Sequence, residues 1–156
     1  MQEIERKYLV CDDSFKKEAF ACSRIAQGYI CMRKVTARVR IYGDSAYITF
    51  KGKSRDGGLS RFEHERQIPL RCAELLLARC RGIIEKYRYL VKVDEHVWEV
   101  DVFEGDNAGL IVAEVELKSV EQQPQLPSWV WKEVTGNRYY HNSFLTLHPY
   151  KEWGNV

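Results

Sequence analysis

In one strand-length segment after another, residues two apart in this chain are ionised while those between them are apolar. Residues two apart share a face of an extended strand. Glu3, Glu5 and Lys7 therefore fall on one side of the first such segment. Arg38 and Arg40 share a face with Ala37, Val39 and Ile41 opposite, and Lys51 lies beside Thr49 against Ile48 and Phe50. Glu63 and Glu65 come next, then Lys86 and Arg88 alternating with Tyr87 and Tyr89. Glu99 and Asp101 are backed by Trp98, Val100 and Val102, and Glu114 and Glu116 by Ile111, Ala113, Val115 and Leu117. Any one of these faces, taken alone, reads as a solvated outer surface. The series as a whole does not.

The alternation predicts strands near 3–10, 26–33, 35–42, 45–51, 61–68, 84–93, 96–103 and 111–118. Gly43-Asp44 is a turn between the third and fourth strands, and 52–58 is a flexible Gly-rich loop. A helix is expected to start at Asp12-Asp13-Ser14, with Phe15, Ala19 and Cys22 on one face. A second follows Pro69 through Leu70, Leu76, Leu77 and Cys80, with Arg79 and Arg81 in its last turn and Gly82 as its stop. A third is expected over 137–147. The fold class is α+β: a closed eight-stranded antiparallel β-barrel, since closure removes sheet edges, with a few helices outside and at the C-terminus.

If all the charged faces pointed outward, small apolar faces would have to fill the barrel and the helices would have nothing apolar to cover. The reverse arrangement lines a wet lumen with the charges. Buried charges are tolerated when paired or bound to metal, so such a lumen calls for a ligand. The cations are Lys7, Arg38, Arg40, Lys51, Lys86 and Arg88, a phosphate-binding set that implies a polyanion. The carboxylates are Glu3, Glu5, Glu63, Glu65, Glu114 and Glu116, without His or Cys partners, which implies a hard cation such as Mg²⁺ or Mn²⁺.

Composition narrows the class further. With 156 residues, 45% hydrophobic and 29% charged, the chain reads as one globular domain over 1–156. No apolar window approaches the ~18 residues of a membrane span. The charged start Met1-Gln2-Glu3-Ile4-Glu5-Arg6-Lys7 is unlike a signal peptide, so a cytoplasmic protein is expected. The scattered cysteines Cys11, Cys22, Cys31, Cys72 and Cys80 read as buried free thiols. A net charge of +2 offers no bulk argument for nucleic acid or membrane partners.

Glu3-Ile4-Glu5-Arg6-Lys7 resembles the E-x-E-x-K signature of the CYTH superfamily, the triphosphate tunnel metalloenzymes. The resemblance continues in family order through Arg38-Val39-Arg40, Lys51, Glu63-His64-Glu65, Lys86-Tyr87-Arg88, Asp101 and Glu114-Val115-Glu116. The tail from Glu133-Val134-Thr135 through Tyr139, Asn142 and Leu145 is similar to that of small bacterial members. The resemblance implies an eight-stranded tunnel acting on triphosphates with a divalent metal. Lys7, Arg38, Arg40, Lys51, Lys86 and Arg88 would hold phosphates. Glu3, Glu5, Glu114 and Glu116, with Glu63 and Glu65, would hold two Mg²⁺ or Mn²⁺ ions, and Glu5, Glu116, Lys7 and Asp101 would lie closest to the chemistry.

The expected reaction is hydrolysis of inorganic tripolyphosphate to pyrophosphate and phosphate. Alternatives are a class IV-type adenylate cyclase, a thiamine or nucleoside triphosphatase, and a non-catalytic polyphosphate-binding module. The partner is a small polyanion, and the protein a monomer or homodimer. Asp101 reads either as a metal- or water-positioning group or as the structural partner of a lumen arginine. Tyr29 reads as a packed barrel tyrosine rather than a phosphate contact, and Arg61 as a solvated surface residue. His64, His96, His141 and His148 share no metal spacing and read as surface or boundary residues, while Trp129, Trp131 and Trp153 read as caps on the barrel end.

Overall fold

The computed structural model describes residues 2–32 and 35–154, without the side chains of Cys31 and Met32. Among the described residues nine strands form, β1 Gln2–Val10, β2 Ala19–Met32, β3 Thr36–Tyr42, β4 Ser45–Lys51, β5 Ser60–Ile68, β6 Ile83–Val93, β7 His96–Phe103, β8 Ile111–Glu116 and β9 Val130–Glu133. They run in the order β5-β4-β3-β2-β6-β7-β8-β1, and a further pairing of β1 with β5 closes the eight into an antiparallel barrel. The short β9 is a ninth strand that the alternation did not mark. It pairs with β1 at Tyr8, Leu9 and Val10, beyond the stretch that β5 covers at Gln2, Glu3 and Ile4.

Side-chain parity sorts the barrel as the alternation requires. Outward residues Tyr8, Trp98, Val100, Ala113 and Val115 are buried beneath Phe15 and Trp129. Trp129 packs edge-on against Trp98 and Phe15 at centroid distances of 5.7 and 5.9 Å, and its indole N–H donates to Glu18 Oε2 at 2.7 Å. It therefore covers the barrel wall rather than its end. A second outward patch, Val39 and Ala46 with partly buried Ile41 and Ile48, receives Ala73 and Leu77 of α2, Leu70–Leu77. Gly28 permits that approach, because a Cβ there would lie 2.7 Å from Cys80 Sγ.

Several helix expectations are corrected. The helix after Asp12 is one turn, α1 Phe15–Glu18, and at Ala19 the backbone becomes extended (φ −66°, ψ 135°). The spacing of Phe15, Ala19 and Cys22 fits a helix, but pairing with β6 from Ala19 to Gly28 satisfies far more backbone. α2 ends at Leu77, so Arg79 and Arg81 lie beyond it. Gly82 is not its stop but a point of close approach, since a Cβ there would sit 2.5 Å from the Thr146 carbonyl oxygen. The tail is not one helix: a 3₁₀ turn at Arg138–Tyr140 and α3 Asn142–Leu145 are separated by extended His141 (φ −72°, ψ 134°).

The cysteine expectation also changes. Cys11, Cys22 and Cys72 are free but exposed and Cys80 is half-buried, while the Cys31 side chain lies outside the described residues. Cys22 falls on the outer face of β2, where the inward positions are the odd-numbered ones. Among the described residues no helix is long and apolar enough to cross a membrane.

One end of the lumen is closed. Leu9, Ile84, Phe103 and Val112 face inward there and pack with Leu145 of α3, Tyr140 and Trp153. Trp153 does cap the barrel end, as expected, whereas Trp131 is exposed. The tail is thus an apolar floor beneath a charged chamber.

Candidate active site

Above this floor lies a cavity of about 340 Å³, walled by Glu3, Glu5, Lys7, Arg38, Arg40, Lys51, Glu63, Glu65, Arg88, Glu114 and Glu116. Every one of these was singled out by the alternation, and antiparallel register brings them together. Glu5 lies opposite Glu116 and Lys7 opposite Glu114 across β1 and β8, and Lys51 lies opposite Glu63 across β4 and β5. Lys86 and Asp101 were expected in the same set but do not reach the cavity wall. They lie beneath it, 1% and 2% exposed.

Most of the charges are paired. Lys7 Nζ is 2.8 Å from Glu114 Oε1 and donates to the Tyr140 carbonyl at 3.3 Å, which ties the β1 cation to the tail. Lys51 Nζ lies 2.9 Å from Glu63 and 3.3 Å from Glu3. Glu65 Oε2 lies 3.3 Å from Arg40 and 3.6 Å from Arg38, and accepts from the Thr49 hydroxyl at 2.7 Å. Arg88 grips Asp101 through two bonds, of 2.7 and 2.8 Å, and Lys86 Nζ reaches Asp101 at 2.6 Å and Asn142 Oδ1 at 3.1 Å. Both Asp101 oxygens are thereby engaged.

Glu5 and Glu116 differ. Neither has a side-chain hydrogen bond or ion pair with a described residue, although they are direct cross-strand partners. Like charges in that position destabilise a sheet. Burial, then the Glu114 and Glu3 carboxylates, push the Glu5 carboxyl up to about 7. Burial would also raise Glu3, but Lys51 and Arg61 outweigh it and bring that carboxyl down to about 2. Burial holds Lys86 down to about 8 against the opposing pull of Asp101.

Among the described residues no group of three His, Cys, Asp or Glu is arranged to hold an ion by itself. The donor set still suits one class of cation. Mg²⁺ retains several waters and is commonly held by one or two carboxylates plus substrate phosphates. Glu5 and Glu116 supply that pair, with no cation of their own to displace. The other five glutamates of the cavity, Glu3, Glu63, Glu65, Glu99 and Glu114, are committed to lysine and arginine.

Four cavity residues were left out of the expected phosphate and metal sets, although the alternation placed one of them, Glu99, on a charged face. Arg61 is not a surface residue: it lines the cavity, with Nε 3.2 Å from Glu3 Oε2. Its signal was its spacing, two residues before Glu63 on the same face. Tyr29 lines the cavity and its hydroxyl accepts from Gln27 Nε2 at 3.0 Å. Glu99 belongs to the same wall. His141 is also there, and burial, then Lys7 and Arg61, push its imidazole down to about 4. Lying in irregular tail, it obeys no strand alternation, so nothing in the pattern pointed to it.

The wall between β5 and β9 is completed by two glycine turns in backbone contact. Gly58 and Gly136 take φ of +94° and +76°, and a Cβ on Gly136 would lie 2.1 Å from the Gly57 carbonyl oxygen. The Gly-rich segment predicted as a flexible loop thus forms a 3₁₀ turn at Asp56–Gly58 in contact with the tail.

Glu5 and His141 give opposite pH dependences. Glu5 is raised from 4.5 to about 7, so its stabilising contribution is full below the lower value and lost as pH rises through the upper one. His141 is lowered from 6.5 to about 4, so its contribution is present above 6.5 and lost as pH falls toward 4. The two slopes oppose one another where they overlap. Urea unfolding of wild type and Glu5→Gln in EDTA should separate them. The stability difference, wild type minus variant, should fall by about 1.4 kcal/mol per pH unit at most between the two Glu5 values. A pH-independent difference would show that Glu5 is not perturbed.

The CYTH domain family model matches residues 1–144. The chain is 41% identical to an inorganic triphosphatase of Acetivibrio thermocellus over 155 residues, 97% of each protein. It is 35% identical to an inorganic triphosphatase of Nitrosomonas europaea over 153 residues, 94% of this chain and 98% of that one. The crystal structure of the inorganic triphosphatase NE1496 superposes with a TM-score of 0.68 at 30% identity, covering 93% of this chain and 94% of that one.

Proposed function

Since the chain belongs to the CYTH domain family, we propose that it is a triphosphatase that hydrolyses inorganic tripolyphosphate to pyrophosphate and phosphate inside the barrel. The observation that carries this reading is the cavity itself. Arg38, Arg40, Lys51, Lys7 and Arg88 converge from four different strands on one chamber, which the polar tail residues His141, Asn142 and Ser143 also line. A short polyanion matches the cations, and no group on the wall requires a base or sugar.

Arg38, Arg40 and Lys51 would bind the phosphate chain from the β3–β4 side, and Lys7 and Arg88 from the β1–β6 side. Glu65, Glu63 and Glu114 hold these cations on the lumen face, so little rotamer freedom is lost on binding. Lys86 and Asp101 act one layer down. Asp101 fixes the Arg88 guanidinium through Nε and one terminal nitrogen, and the other lies 2.5 Å from Glu99, whose place a phosphate would take, which makes Asp101 a positioning residue. Negative charge developing on the departing pyrophosphate would meet Lys7 and Arg88, fixed before the reaction begins.

Glu5 and Glu116 would hold Mg²⁺ or Mn²⁺ together with phosphate oxygens, and Glu3, Glu63, Glu65 and Glu114 would contribute to a second ion only by leaving their present partners. The bound cation would act as a Lewis acid toward the phosphoryl group and increase the acidity of a coordinated water. Exposed free thiols suit a reducing, cytoplasmic compartment.

The test is ligand stabilisation with metal excluded. A ligand that binds only the folded state at a hundred times its dissociation constant stabilises it by about 2.7 kcal/mol. In EDTA, millimolar tripolyphosphate should therefore raise Tm by several degrees, and pyrophosphate by less. An unchanged Tm would exclude the lumen as a polyphosphate site.

A further inference from the structure

We propose that Arg61 competes with a divalent cation for the lumen carboxylates and itself binds the phosphate chain, so that metal and triphosphate bind cooperatively. The proposal deepens the triphosphatase reading and rests on it. β5 places Arg61 directly opposite Glu3 of β1, with Nε 3.2 Å from Glu3 Oε2. Glu3 shares Lys51 Nζ, at 3.3 Å, with Glu63 at 2.9 Å, so Arg61 is the second cation of this carboxylate pair, in the place a divalent ion would take. Neither of its two terminal nitrogens hydrogen-bonds a described residue, although the side chain is only 27% exposed. That leaves a forked donor in the cavity with its strongest bonds unmade.

The field around Arg61 explains what it faces. Burial disfavours its charge, and Glu3, Glu5 and Glu114 together more than offset that effect. The same guanidinium repels Lys7, Lys51 and the protonated form of His141. It therefore stands at the boundary between the carboxylate and cation sides of the chamber. A divalent ion held by Glu5 and Glu116 would repel it across a short, partly desolvated gap. Three phosphates with their many oxygens offer the fork a bidentate partner that draws it the other way. Each ligand thus improves the site for the other, which is reciprocal coupling through one mobile charge.

The experiment compares wild type, Arg61→Gln and Arg61→Lys, each confirmed folded by near-UV circular dichroism. Mn²⁺ alone is titrated into metal-free protein by the paramagnetic resonance of the free ion. Sodium tripolyphosphate is titrated separately in EDTA by calorimetry. Arg61→Gln should bind Mn²⁺ about tenfold more tightly and tripolyphosphate about tenfold more weakly, the order expected for one unit charge at a partly buried site. Arg61→Lys keeps the charge but loses the fork, so it should retain wild-type Mn²⁺ affinity and lose part of the tripolyphosphate affinity. Unchanged or weaker Mn²⁺ binding by Arg61→Gln, or unchanged tripolyphosphate binding, would overturn the proposal. If wild type itself fails to bind tripolyphosphate, the reading of the lumen falls and the proposal falls with it.

Discussion

Glu5→Gln and Glu116→Gln should each lower kcat for tripolyphosphate by at least about 10²–10³-fold, the range seen when one preorganised electrostatic group is removed from an active site. These carboxylates face each other across β1 and β8 without an ion pair to a described residue, and under the proposed function they would hold the divalent cation. The loss should fall on turnover rather than on substrate affinity. Each glutamine removes a negative charge from a chamber that must accept a polyanion, so tripolyphosphate in EDTA should bind equally well or more tightly. Glu5→Gln should not unfold the protein, because the carboxyl it replaces is one that burial already drives toward the neutral form. Phosphate release and calorimetry on the same preparation separate these effects. Near-normal turnover of Glu116→Gln at ordinary Mg²⁺ concentration would contradict the assignment.

The largest stability effect should come from Arg88→Met. Arg88 holds both oxygens of Asp101, which is 2% exposed, and reaches Glu114 at 3.8 Å. Removing one partner of a buried ion pair typically costs about 3–5 kcal/mol, because a desolvated charge is left behind. Lys86 remains on Asp101, which places the expected value near the lower end, or about 6–12 °C in Tm for a domain of this size. Adding Asp101→Asn to Arg88→Met should cost further stability, since buried Lys86 then loses its carboxylate, but by less than the sum of the two single changes, because the Arg88–Asp101 pair is already broken. Asp101→Asn alone should raise KM for tripolyphosphate more than it lowers kcat, the signature of a group that orients a binding arginine. Thermal unfolding of the two single variants and the double variant completes the cycle. Strict additivity would show that the pair does not act as a unit.

The barrel was legible in the sequence because charge and apolarity alternate with period two, and that period does not survive in any other element. Glu5, Lys7, Arg38, Arg40, Arg88 and Glu116 were placed on one lumen by parity alone, and register then set each beside its partner. Parity says which face a residue occupies but not how far along the barrel it lies. Lys86 and Asp101 therefore looked equivalent to their neighbours, yet they fall below the cavity, where Asn142 of the tail closes over them. Residues outside strands had no such rule. His141 reaches the chamber because the chain breaks between the 3₁₀ turn and α3, a break that a single 137–147 helix would have erased. Trp129 was misplaced for a related reason: β9 and the segment before it return along the outer wall, and four residues of strand are too few to show a period. The first helix is cut to one turn because three apolar residues at helical spacing were outweighed by nine paired residues of ladder with β6.

Under the proposed function the lumen recognises triphosphate and nothing attached to it. One measurement tests it directly: ³¹P NMR of an equimolar mixture of tripolyphosphate and ATP with the enzyme and Mg²⁺, repeated with Mn²⁺. On that reading the cavity's cations bind phosphate, so a nucleoside adds bulk without matching contacts. Tripolyphosphate should disappear first, giving phosphate and pyrophosphate in equal amounts while the ATP resonances persist. A wall built to hydrogen-bond a base would reverse the order, because polar groups left unpaired penalise the substrate that lacks it. Consumption of ATP ahead of tripolyphosphate, with cyclic AMP and pyrophosphate as products, would contradict the account.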